Sequence, residues 1–126
     1  MKTMIFMIIS VIIFVSFAFW AQYKLENSAI SLGQHLNQLE LAIKNDNWSL
    51  ADDQIKDITR VWNKNRNMWQ MLIDHEEVDN IDSTLARVKQ LVELQEKTDS
   101  LAEIAALKLF ILHIPEKEAL NIVNII

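Results

Sequence analysis

The stretch Trp69–Val88, WQMLIDHEEVDNIDSTLARV, decides how this chain folds, because two apolar stripes meet inside it out of phase. Upstream, Trp48, Ala51, Ile55, Ile58, Trp62, Trp69, Leu72 and Ile73 hold one phase at about 100° per residue, as on one face of a helix. Downstream, Val78, Ile81, Leu85, Val88 and Val92 recur at three and four. Run backward, the second stripe puts Trp69, Leu72, Ile73 and Glu76 on its opposite face and Asp74 on the apolar one. A single helix would have to bury both sides at once, so the spacing predicts a turn between about Asp74 and Asn80.

The same reasoning extends outward. Leu25, Ala29, Leu32, Leu36, Leu39 and Ile43 form a stripe for a helix over about 24–45, ended by the polar KNDN, and Ser49–Asp52 has capping-box spacing for the next helix. That next helix reads as roughly 27 residues, about 40 Å long. A second phase break falls at Glu96–Ser100, where Ser100 and Glu103 have capping-box spacing for LAEIAALKLFILHI, a segment apolar nearly all round. His113-Ile114-Pro115 is expected to end that helix, with PEKEAL starting a short terminal one. One glycine and one proline in 126 residues leave almost nothing for hairpins. The expected fold is all-α: an N-terminal transmembrane helix over residues 1–23, then an antiparallel up-down bundle of about four helices plus a short C-terminal one over 24–126.

The transmembrane reading rests on Met4–Ala21, MIFMIISVIIFVSFAFWA, roughly 18 residues without a charge, about enough to cross a hydrocarbon core. Trp20, Tyr23 and Lys24 suit a headgroup boundary. Ser16-Phe17-Ala18 offers the small residues of a cleavage site, but the run continues through Phe19 and Trp20, which favours an uncleaved anchor over a signal peptide. Lys2 against Lys24 alone favours a cytoplasmic N-terminus and an extracytoplasmic bundle on the cell membrane. Only Lys2 of the 12 basic residues precedes Lys24, which leaves 11 against 17 acids beyond the span, a net of −6. Such a surface repels phosphates, so nucleic acid is not an expected partner. The absence of cysteine excludes thiolate chemistry and disulfides.

His75, Glu76, Asp79 and Asp82 are the candidate site. On an unbroken helix His75, Asp79 and Asp82 would share a face as metal ligands do, but the phase break intervenes. The favoured reading puts His75 near the end of one helix and Asp79 and Asp82 at the start of the next, as caps. Arg66, with Asn65, interrupts an apolar stripe: either it sits where the bundle opens to water, or a buried network or a partner satisfies it. The tryptophans at 48, 62 and 69 share a stripe and are expected in the core, an aromatic cage being the alternative. His35 and His113 stand apart, and no triad, phosphate loop or carboxylate pair is identifiable.

The N-terminal span, W-x-x-L-x-D-H-x-E-x-D-x-I at Trp69–Ile81, LAR at Leu85–Arg87 and HIPEKEALNIVNI at His113–Ile125 together resemble a family of small single-pass membrane proteins of unknown function from spore-forming Gram-positive bacteria. The resemblance covers most of the chain and implies an extracytoplasmic helical domain that accompanies a multi-pass membrane protein. It supplies no activity, catalytic residue or cofactor. The expectation is therefore a membrane-anchored interaction module, not an enzyme, bound to the bilayer through residues 4–21 and to a membrane-protein partner or a second copy. A small-ligand or metal-sensing bundle using His75, Glu76, Asp79 and Asp82 is the alternative.

Overall fold

The computed structural model describes residues 1–125, with side chains through Lys117. Its four helices are α1 (Lys2–Lys44), α2 (Trp48–Leu72), α3 (His75–Glu93) and α4 (Lys97–Ile125), and no strand occurs among the described residues. The apolar run and the first bundle helix are one element: α1 is unbroken for 43 residues, about 64 Å at 1.5 Å per residue. It is the only described helix long and apolar enough to cross a membrane. Its two halves have opposite surroundings. Phe6 is 72% and Phe19 60% exposed, whereas Leu32, Leu36, Leu39 and Ile43 are all at 0%. The periodic stripe is wholly consumed inside the bundle.

The helices pack in a closed ring, α1 on α2, α2 on α3, α3 on α4 and α4 on α1, around one core to which all four contribute. Cross-links between helices set their directions. Gln22 donates to the Pro115 carbonyl at 2.8 Å, Lys108 pairs with Glu40, and Lys97 donates to the Lys44 carbonyl at 3.1 Å, so α4 descends as α1 rises. Trp69 meets Ser28 while Gln54 meets His35, which reverses α2 against α1 in the same way.

Two of the three turns share one device. After α1, Asp46 N–H bonds the Ile43 carbonyl and Asn47 N–H the Ala42 carbonyl; after α3, Gln95 N–H bonds Val92 and Glu96 N–H bonds Leu91. These are Schellman closures, and they force the central residue into the left-handed region, Asp46 at φ 57° and Gln95 at φ 56°. Asn47, the last residue of the first closure, is also the N-cap of α2, its side chain accepting from Leu50 N–H at 3.2 Å. The cap is therefore two residues before Ser49. In the same way α4 starts directly after Glu96, so Ser100 lies inside the first turns, fully buried, instead of capping the helix.

The third turn needs only two extended residues, Ile73 (φ −130°, ψ 169°) and Asp74 (φ −61°, ψ 141°). It falls at the near edge of the expected interval, and α3 already begins at His75. The expected break at Pro115 does not occur. The α4 backbone continues to Ile125 with Pro115 inside it. A mid-helix proline costs about 3 kcal/mol, and here buried Ile111 and Ile114 before it and the Gln22 bond to its carbonyl hold the backbone in place.

Holding Gln95 left-handed costs on the order of 1 kcal/mol, which glycine does not incur. Gln95→Gly should therefore raise the stability of the chain by about 0.5–1 kcal/mol, and Gln95→Val should lower it; thermal unfolding reads both.

Candidate functional site

Of the residues singled out from sequence, the structure brings together Arg66, Asp82, Trp62 and Trp69 and does not draw His75, Glu76 and Asp79 into that group. Because α3 begins at His75, residues His75, Glu76, Asp79 and Asp82 share that helix, contrary to the expectation that a turn separates them. They still do not converge. His75, Glu76 and Asp79 point to solvent, while Asp82 turns toward α2. Neither Asp79 nor Asp82 caps α3: the N-cap is Asp74, which makes no side-chain bond to the helix. His35 on α1, His75 on α3 and His113 on α4 stay separate, and no group of three His, Cys, Asp or Glu among the described residues is placed to hold a metal.

Asp82 is the centre of a polar chain that crosses the bundle. Arg66 donates to it through Nε at 2.9 Å and Nη2 at 2.6 Å, a two-pronged contact on Oδ2, and Trp62 Nε1 donates to Oδ1 at 2.7 Å. The Trp62 ring stands edge-on to Trp69, centroids 5.4 Å apart at 75°. Trp69 Nε1 donates to Ser28 Oγ at 2.8 Å, which itself donates to the Leu25 carbonyl at 2.9 Å. Side chains of α3, α2 and α1 are thus linked by bonds and one aromatic contact. Each buried indole N–H finds an acceptor, as an interior tryptophan requires.

This chain explains why a cation interrupts the α2 stripe. Arg66 is 31% and Asp82 34% exposed, so the pair lies at the bundle's flank, neither open in water nor sealed in the core. Arg66 reaches the rim and is also held by the network. Asn65 bonds the Val61 carbonyl one turn back. Trp62 and Trp69 are 2% and 0% exposed, so they form core and cannot form a cage.

Burial alone would raise the Asp82 carboxyl, but the Arg66 bonds, the Trp62 N–H and the Arg66 charge together hold it below the usual carboxylate value. Glu40 is also lowered, chiefly by its bond from Lys108 and then by Lys44. A depressed folded-state value stabilises the fold above the unfolded carboxylate range and is lost as pH falls through the folded value. The pH window of these two groups therefore lies below about pH 4.

A second feature lies where the bundle joins the exposed part of α1. Phe14, Phe17, Ala18, Ala21, Gln22 and Leu25 form a groove of about 200 Å³ with Leu72 at the end of α2. The α2–α3 turn and the acidic start of α3 therefore lie at the end of the bundle from which the apolar half of α1 emerges.

Asp82→Asn should cost about 1–2 kcal/mol, after allowance for solvent screening, and should flatten the loss of stability below pH 4. His75→Ala and Asp79→Ala, which remove no hydrogen bond and, for Asp79, only an attraction to Arg66 across solvent, should stay within about 0.5 kcal/mol of the parent chain. Denaturant titration at neutral and acid pH separates these outcomes.

The Arg66–Asp82 connection was the part sequence reasoning missed. Its signal was an arginine breaking an apolar stripe, one turn from Trp62 on the same helix face, opposite a single acid directly after the buried Ile81.

No curated relative and no solved structure matches the chain. A family defined as a domain of unknown function, DUF4363, matches residues 19–125, beginning at Phe19 within the apolar run and ending with α4. The chain belongs to the DUF4363 family.

Proposed function

We propose that this chain is a membrane-anchored interaction module, non-enzymatic, whose work is to hold an acidic helical domain at the membrane surface. On this reading residues 4–21 of α1 cross the cell membrane once, with the N-terminus in the cytoplasm. An antiparallel up-down bundle outside it serves a membrane-protein partner or a second copy.

The observation that carries the reading is the continuity of α1. A residue such as Phe6 or Ile13 at 64–72% exposure is costly in water, whereas one span later the same helix buries an apolar stripe inside the bundle. Lipid is the solvent that suits the first half and the bundle suits the second, with no hinge between them. A rigid join of this kind fixes the height of the bundle over the bilayer. It sets exposed Glu76 and Asp79 at the membrane-proximal end, where basic residues of a partner's loops can meet them.

The metal-sensing alternative draws no support from His75, Glu76 and Asp79, since these side chains are exposed and no three potential ligands among the described residues are placed to hold a metal. A ligand that binds only the native state must raise its stability.

The chain is therefore expected to remain in the membrane pellet after an alkaline carbonate wash and to co-purify with a membrane protein or with a differently tagged copy of itself. Release into the wash would refute the anchor, and recovery of monomer alone would refute the interaction role. Zinc, calcium and manganese should each leave the melting temperature unchanged; a rise abolished by His75→Ala would favour the sensing reading instead.

A further inference from the structure

α1 carries a second seam, on the side opposite its buried stripe. Through the bundle, Tyr23, Asn27, Ile30, Gln34, Asn37 and Leu41 follow one another at alternating steps of four and three, and all six are exposed. The same steps continue upstream through Trp20, Ser16, Ile13 and Ile9 to Phe6 without a break and without a charge. The seam is thus about 50 Å long, at the 3.5-residue period that lets two helices stay in contact. The exposed faces of α2 and α3 look different: they carry Asp52, Asp53, Lys56 and Arg60, and Glu76, Asp79, Lys89 and Glu93.

Four exposed aliphatic side chains of the bundle lie on or beside the seam, while Met71, Leu94 and Leu109 are exposed elsewhere. Ile30 is 54% and Leu41 59% exposed on the seam itself. Leu50 of α2, 42% exposed, shares a groove with Leu41, and Leu112 of α4, 46% exposed, lies over Gly33 of α1, where an added Cβ would meet it at 3.4 Å.

We propose that this seam is the interface of a parallel homodimer, α1 against α1 of a second copy, running from the membrane span into the bundle. The proposal rests on the anchored reading, since two copies inserted in one bilayer with the same orientation place their α1 helices parallel and in register. Three features select a second copy over a different protein. Identical charges would meet at a two-fold seam, and there are none along it. Its polar members Asn27, Gln34 and Asn37 are amides, which both donate and accept and so pair with their own symmetry mates. An amide at a seam position favours the register that pairs it with its symmetry mate, and here apolar Ile30 and Leu41 flank Gln34 and Asn37.

The chain has no cysteine, so single-cysteine variants report proximity without background. Full-length Asn37→Cys and Ile30→Cys in native membranes should form a disulfide dimer of twice the monomer mass on mild oxidation, because seam positions of a parallel pair lie within disulfide reach. Lys89→Cys, exposed on α3, should stay monomeric. All three positions are exposed, and helix content checked by circular dichroism should be unchanged. Membrane-bound chain that stays monomeric at both seam positions, dimer formation equal at Lys89→Cys, or a cross-linked band containing another protein would each overturn the seam. Fractionation before oxidation tests the anchor separately: chain in the soluble fraction would overturn the reading beneath the proposal.

Discussion

The structure depends on α1 remaining one helix from an apolar, exposed first half into a packed second half. Its first half is apolar on every face, and its second half buries Leu32, Leu36, Leu39 and Ile43 against α2 and α4. A helix that is hydrophobic all round needs an apolar medium, and one with a single apolar stripe needs a partner along that stripe. The other elements supply that partner. α2 and α4 lie on either side of α1, and α3 closes the ring without touching it.

Apolar burial of this kind is unspecific about which helix lies beside which, and the polar chain from Arg66 through Asp82, Trp62 and Trp69 to Ser28 supplies that specificity. Sliding α3 by one turn against α2 would leave a guanidinium, a carboxylate and an indole N–H without partners at a half-buried flank, a cost larger than most single contacts repay. At the far end of the bundle, Lys97 ties the two Schellman turns together by bonding the Lys44 carbonyl and pairing with Asp46 at 3.2 Å.

Much of this was legible in the sequence, because stripes at three and four name the core directly. Of the residues placed on stripes, Leu25 to Ile43 and Val78 to Val92 are buried as read. Helix boundaries were less legible where no apolar residue marks them: between Ile73 and Val78 nothing distinguishes the last turn of one helix from the first of the next, so the phase bounded the break but did not place it. Capping boxes misled at Ser49 and Ser100, since a Schellman closure hands its last residue straight to the next helix and needs no other cap. At Pro115, a local propensity lost to tertiary contacts. The Arg66–Asp82 pair was hidden for a different reason: it joins two helices, and periodicity within one helix carries no information on what faces it.

On the proposed reading, a rigid rod leads from the bilayer into the bundle and presents an acidic end near the surface and an uncharged seam along its length. The most direct test is the side of the membrane on which the bundle lies. Single cysteines at Asp53 on α2 and Thr3 near the N-terminus, treated in intact cells with a membrane-impermeant maleimide, should be labelled at Asp53→Cys and protected at Thr3→Cys until the cells are permeabilised. Protection of Asp53→Cys in intact cells, with labelling only after permeabilisation, would contradict the account.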